Sequence, residues 1–187
     1  MNIALFYYDD FVEFEIALAL FLLRDEKIIH FSLEKKNYQS YEGQTFIPEF
    51  QMNEVSPKSV DLLIIPGGNS LPLFKNEPLK KWIKECVENG GKIAGICGGA
   101  ELLAGLGFLK GRICTAGTSG LKSDDPIYGY FSECKISNSV VEIDGPFITS
   151  QGQGYAEFAA KLYHLSIGGE KPESEMSILK WLKNDRT

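Results

Sequence analysis

The sequence predicts one α/β domain, residues 1–187, built on a mainly parallel sheet with helices on both faces. Short apolar runs alternate with helical patterns along the chain, the order expected of strands joined by helical crossovers. Val60–Ile65 is almost continuously apolar, as a strand covered on both faces should be. The 187 residues, 44% of them hydrophobic, suit a single buried core, and no repeat, low-complexity tract or linker divides them.

In chain order, Ile3–Tyr8 reads as the first strand, Glu13–Arg24 as a helix and Ile28–Leu33 as the second strand. Residues 39–55 are polar, contain Gly43 and Pro48, and read as a small hairpin or irregular excursion. Val60–Ile65 is the next strand, stopped by Pro66-Gly67-Gly68, where the backbone is free to turn. Leu79–Glu88 is an amphipathic helix closed by Asn89-Gly90-Gly91. Lys92–Ile96 is a central strand, Gly98–Leu106 a helix, and Arg112–Gly117 a further strand. Val140–Ile143 and Phe147–Ser150 flank Asp144-Gly145 and read as a β-hairpin. Tyr155–Ile167 closes the fold as a helix, and a short terminal helix is expected around Met176–Lys183.

Composition excludes several function classes. The net charge is −6, and the 19 Lys and Arg are scattered, so no nucleic-acid surface is expected. The longest apolar run, Ile16–Leu23, is far shorter than the ~20 residues that span a bilayer. The first residues lack a basic, apolar leader, and the cysteines Cys86, Cys97, Cys114 and Cys134 form no CxxC pattern. A cytoplasmic protein with reduced thiols, no metal and no cofactor is expected. Asp124-Asp125-Pro126 reads as a turn. The helix over 16–23 is apolar all round, so its excess face calls for a partner, and a homodimer is the economical choice.

The chemistry centres on Gly95-Ile96-Cys97-Gly98-Gly99. A buried strand runs straight into a helix with cysteine at the corner, the pattern of a nucleophile elbow with cysteine replacing serine. Such a turn places sulfur at the carboxyl edge of the sheet over a helix N-terminus, whose N–H groups favour thiolate. The backbone of Gly98, together with that of Gly68, is suited to hold a developing oxyanion. Glu15 is the one charge inside Phe14–Leu23, and a buried lone carboxyl must be neutral or hydrogen-bonded, with Cys97 as the natural partner. Glu13 fits the blander role of an exposed acid in the first turn of the helix. Gly67, Asn69, Thr115 and Thr118 are candidate pocket residues, and Cys86, Cys114 and Cys134 read as structural.

Four segments in order resemble the ThiJ/PfpI family of the class I glutamine amidotransferase-like superfamily. They are Tyr8 to Glu15, the strand ending in Pro66-Gly67-Gly68-Asn69, the elbow Ala94–Gly99, and Ile148–Gly154 before the last large helix. The resemblance spans roughly residues 1 to 168. It implies a flavodoxin-like three-layer sandwich, usually dimeric, and a reactive cysteine paired with a carboxylic acid from the first helix.

One part of the family pattern is missing. Many active members carry a histidine just after the strand that follows the elbow helix, where this chain has Ala116. Its two histidines, His30 and His164, are expected far from Cys97, the first at the wrong edge of the sheet and the second ~15 Å along a helix. A Cys–Glu dyad remains, suited to additions across small electrophilic molecules. Members acting as isocyanide hydratases are the nearest chemical analogue, whereas members acting on glyoxals or glycated groups generally carry the histidine. The expected function is therefore hydratase- or hydrolase-like, using Cys97 and Glu15. The alternative is a redox-sensing or stress-response protein whose Cys97 is oxidised to sulfinate.

Overall fold

The computed structural model describes residues 1–117, 121–167 and 172–183. The strands up to the elbow are β1 (Asn2–Tyr7), β2 (Phe11–Val12), β3 (Lys27–Ser32), β4 (Tyr38–Gln39), β5 (Thr45–Phe46), β6 (Phe50–Gln51), β7 (Leu62–Ile65), β8 (Gly67–Gly68) and β9 (Lys92–Ile96). They are followed by β10 (Ile113–Cys114), β11 (Lys135–Ile136), β12 (Val141–Asp144) and β13 (Phe147–Ser150). The α-helices are α1 (Phe14–Leu22), α2 (Glu77–Glu88), α3 (Gly98–Gly105), α4 (Tyr128–Phe131), α5 (Tyr155–Ser166) and α6 (Pro172–Leu182).

Seven strands form the central sheet in the order β12-β13-β9-β7-β1-β3-β6, with every pair parallel except β12–β13. From β1 the chain winds outward to β3 and β6, then returns to β7 and winds the other way. Right-handed crossovers therefore put α1 on one face and α2 and α3 on the other. The reversal lies between β1 and β7, and crevices at such switch points are where open α/β sheets bind ligands. α5 packs against α1, and α6 against α5, which completes the three-layer flavodoxin-like sandwich. All four residues of β7 are buried, as its unbroken apolar run requires.

The elements depart from the sequence reading in a few places. The first helix is shorter at both ends, β7 starts two residues later than Val60, and α2 starts two residues earlier, where the Asn76 side chain accepts the Leu79 N–H at 2.9 Å. α6 begins at Pro172, ahead of Met176. Residues 39–55 do form a hairpin, β4–β5, but they also supply β6, the edge strand of the main sheet. A two-residue strand is too short for any periodicity to reveal. Of Arg112–Gly117 only Ile113–Cys114 is strand, and it pairs with β11 outside the main sheet. The β12–β13 hairpin turns through Gly145-Pro146, with Gly145 at φ +60°. Among the described residues no helix is long and apolar enough to cross a membrane.

Two local arrangements set up the carboxyl edge. β2 pairs antiparallel with β8, which ties the chain just before α1 to the Pro66-Gly67-Gly68 turn. The β4–β5 hairpin then docks on α1: Glu42 accepts the backbone N–H of Glu13 at 3.0 Å and of Phe14 at 3.2 Å. The cap of α1 thus comes from a distant carboxylate, not from Glu13.

Candidate active site around Cys97 and Glu15

Cys97 closes β9 and opens α3 with φ +52° and ψ −121°. A left-handed conformation at a non-glycine residue costs about 1–3 kcal/mol and persists only where the surroundings enforce it. Here the Cys97 N–H donates to Ser150 O at 2.8 Å, and the Cys97 carbonyl accepts the N–H of Ala100 at 3.0 Å. The elbow is therefore clamped between β13 and the first turn of α3.

Glu15 reaches the sulfur from the first turn of α1. It is 4% exposed, and its Oε2 has no hydrogen-bond partner among the described residues. Burial pushes its carboxyl up to about 7, while the Cys97 thiol and the Gly67 N–H pull in the other direction. Burial likewise pushes the Cys97 thiol up to about 12, reinforced by the charge and hydrogen bond of Glu15 and opposed by the Gly98 N–H. The acidified thiol expected from a helix N-terminus is therefore not the resting state. One N–H cannot outweigh burial beside a carboxylate, and the pair resists taking a second negative charge. Burial thus disfavours the charged form of both groups, the thiolate and the carboxylate.

Two glycines make room for this contact. A Cβ on Gly67 would overlap Glu15 Oε2 and lie 2.7 Å from Cys97 Cβ. A Cβ on Gly152 would lie 2.6 Å from Glu15 Oε1 and 3.3 Å from Cys97 Sγ. Buried Tyr8 holds the first of these turns, with its hydroxyl placed to donate to Pro66 O at 2.8 Å and Gly67 O at 2.7 Å. Ser70 Oγ donates to Gly98 O at 2.7 Å and joins the turn to α3.

Cys97 opens onto a pocket of about 410 Å³ lined by Asp10, Val12, Tyr41, Gly68, Asn69 and Cys97 itself. The fold thus brings Cys97, Glu15, Gly67, Gly68, Gly98 and Asn69 to one edge. Thr115 is fully buried, its N–H donating to Thr149 Oγ1 at 2.9 Å, and it does not line this pocket. Thr118 lies outside the described residues. His30 sits inside β3 with Nδ1 2.8 Å from Tyr7 Oη, and His164 lies in the last turn of α5, so neither meets Cys97. Tyr8 and Gly152 were not singled out by the sequence. A tyrosine at the end of a buried strand needs a partner for its hydroxyl, which is the one available signal for Tyr8. Gly152 lies in the matched segment Ile148–Gly154 but carries no mark of its contact with sulfur. Among the described residues no group of three or more His, Cys, Asp or Glu is arranged to hold a metal ion.

Comparison with known proteins shows the family. A deglycase of Thermococcus kodakarensis is 27% identical over 157 residues, covering 82% of this chain and 92% of that protein. A glutathione-independent glyoxalase of Caenorhabditis elegans is 32% identical over 139 residues, covering 73% of this chain and 72% of the relative. The crystal structure of a DJ-1 superfamily protein from Agrobacterium tumefaciens superposes with a TM-score of 0.80 at 25% identity, over 100% of both chains. The family model for DJ-1/PfpI matches residues 1–165, so the chain belongs to the DJ-1/PfpI family.

Proposed function

We propose that the protein is a cysteine-dependent hydratase or hydrolase acting on a small electrophilic molecule, with Cys97 as nucleophile and Glu15 as the carrier of its proton. The supporting observation is the buried contact between a thiol and a carboxyl whose pKa burial lifts to about 7. A general base titrating near the working pH is close to optimal for proton transfer. The Glu15 carboxylate takes the thiol proton as sulfur bonds to the electrophilic carbon. Negative charge then collects on the carbon's oxygen or nitrogen, within reach of the Gly68 and Gly98 N–H groups. Glu15 returns the proton to that atom, and water displaces the sulfur in the reverse sense. The deglycase and glyoxalase names of the relatives put carbonyl electrophiles first in any substrate panel.

Mass change at Cys97 across an electrophile panel identifies the substrate, and its pH profile tests the mechanism. Expected is a kcat/KM that rises with pH through about 7 and then levels, because Glu15 must be ionised to act as base. Loss of turnover is expected in Cys97→Ser. A profile that is flat across this range, or turnover surviving in Cys97→Ser, rejects the proposal.

The same contact favours a second reading, in which a Cys97 sulfinate is held by a hydrogen bond from the neutral Glu15 carboxyl. Peroxide-dependent oxygen gain at Cys97 with no turnover of any substrate separates this sensor from the enzyme. Either reading includes a second copy of the chain on α1, where Phe14 is 52% and Phe21 51% exposed. Sedimentation should show a dimer at micromolar concentration, and a monomer there refutes this part.

A further inference from the structure

We propose that the pocket over Cys97 selects electrophiles carrying an organic cation, such as an ammonium group, and turns away anionic ones, with Asp10 and Tyr41 as the selecting residues. The inference rests on the reading of Cys97 as a nucleophile for small electrophiles, and names which of them the site takes. Of the residues that line this pocket, Asp10 is the only acidic or basic side chain. Lys36 belongs to the adjoining pocket, which shares Asn69, and its Nζ donates to Asp9 Oδ2 at 2.7 Å. An anion that enters meets a carboxylate in the lining and no cation to offset it.

Backbone bonds place both selecting residues. Asp10 has φ +60°, its N–H donates to Gln39 O at 2.9 Å, and its carbonyl accepts the Asn69 N–H at 3.3 Å. A Cβ on Gly68 would stand 2.1 Å from Asp10 O, so the Gly67-Gly68 turn packs directly on this residue. The Tyr41 N–H donates to Phe11 O at 2.8 Å, which ties the tip of the β4–β5 hairpin to the same segment. Glycine or asparagine would meet the left-handed backbone at position 10 without adding a charge, so the conformation does not account for the carboxylate. Nor does packing account for Tyr41, which lines the pocket and is 77% exposed.

A carboxylate and an aromatic face at one pocket are the two groups that hold an organic cation, the first by its charge and the second by its quadrupole. Two acids close to the sulfur add the same sign. Glu15 is buried with Oε2 unpartnered, and a Cβ on Gly117 would lie 2.5 Å from Glu101 Oε1 and 2.7 Å from Cys97 O. The field over Cys97 therefore draws cations in and slows anions.

The test treats the full chain with three methanethiosulfonates: the neutral ethyl, the cationic 2-(trimethylammonio)ethyl and the anionic 2-sulfonatoethyl reagents. In each case the Cys97 thiolate bonds to the divalent sulfur of the reagent and methanesulfinate leaves. Rates are read as mass gain on the Cys97 peptide and divided by the rate of each reagent with a free small thiol. The cation should outpace the anion by about 10-fold or more at low salt, and this preference should shrink in about 1 M KCl. Asp10→Asn keeps the size and tolerates the left-handed backbone, and it should cut the cation-to-anion ratio by about 3- to 10-fold. Tyr41→Leu should slow the cation relative to the neutral reagent by about 2- to 5-fold. An anion that reacts as fast as the cation, or a ratio unchanged in Asp10→Asn, overturns the proposal. So does a Cys97 that no reagent reaches, because the pocket then admits no ligand. The reagents modify sulfur without turnover. Charge selection with no substrate found therefore defeats the proposed reaction alone, and turnover without charge selection defeats this inference alone.

Discussion

Cys86 and Cys97 occupy opposite edges of the same sheet and meet similar pressures. Cys86 lies near the starts of β7 and β9, fully buried, where a Cβ on Gly91 would fall 2.5 Å from its sulfur. Cys97 lies at the ends of those strands, with Gly152 packed on its sulfur. Burial is the first cause of a raised thiol pKa at both, to about 11 for Cys86 and about 12 for Cys97. Neither a perturbed thiol nor a glycine pressed against sulfur therefore marks a reactive site. The difference lies in two other features. Cys86 sits in regular helix and donates to Val60 O at 3.6 Å, whereas Cys97 has a left-handed backbone and faces a carboxyl with an unpartnered oxygen. Strain and an unmatched buried acid cost stability, and the proposed function gives both a use at Cys97.

The sharpest break of this comparison is a pair of alanine substitutions. Gly67→Ala forces Glu15 and Cys97 apart, and a displacement of about 1 Å at reacting groups can cost about 100-fold in rate. Gly91→Ala crowds Cys86 and Val60 O instead. Both should lower the thermal midpoint, at a cost of about 1–3 kcal/mol each. Only Gly67→Ala should slow alkylation of Cys97 or turnover, and equal loss in the two variants would erase the distinction between the edges.

A smaller effect, with an unusual sign, is expected at Glu15. Burial pushes its carboxyl up to about 7 from an ordinary value of 4.5, so folding holds the proton more tightly than the unfolded chain does. Below the unfolded value both states are protonated and the fold carries no penalty. As pH rises through about 7 that stability is lost, and the penalty levels off at up to about 3 kcal/mol, at roughly 1.4 kcal/mol per pH unit. Glu15→Gln should therefore be more stable than wild type at pH 8 and about equal to it at pH 4, while losing the chemistry of Cys97. Chemical denaturation at the two pH values measures this, and a variant less stable at both would show that Glu15 is a structural acid.

The least change is expected from Cys86→Ala. Deleting a buried sulfur should cost about 1–2 kcal/mol by leaving a small cavity, with turnover and the rate of Cys97 alkylation unaltered. A change in Cys97 reactivity would couple the two edges and require a path through β9.

Much of the site was legible because its signals are local. The apolar strand, the glycines and the following helix compress the elbow at Cys97 into a few consecutive residues. Glu15 stood out as one charge in an apolar stretch, and burial of that stretch follows from its composition. The capping of α1 by Glu42, the edge strand Phe50–Gln51, and the hold of Tyr8 on the Pro66-Gly67 carbonyls had no such local mark. Each depends on a partner from roughly twenty to sixty residues away, which no periodicity records.

By itself the sequence determined the α/β class, the central strands and the elbow, because strand burial, turn glycines and helix starts are set by neighbouring residues. Only the tertiary structure decided the state of the thiol and of the acid. Their proton affinities depend on water excluded by α1, the Gly67 turn and the Gly152 segment, which the chain brings together from three distant stretches. Helix position alone predicts an acidic sulfur, but desolvation acts through the whole assembled cavity and is the larger effect.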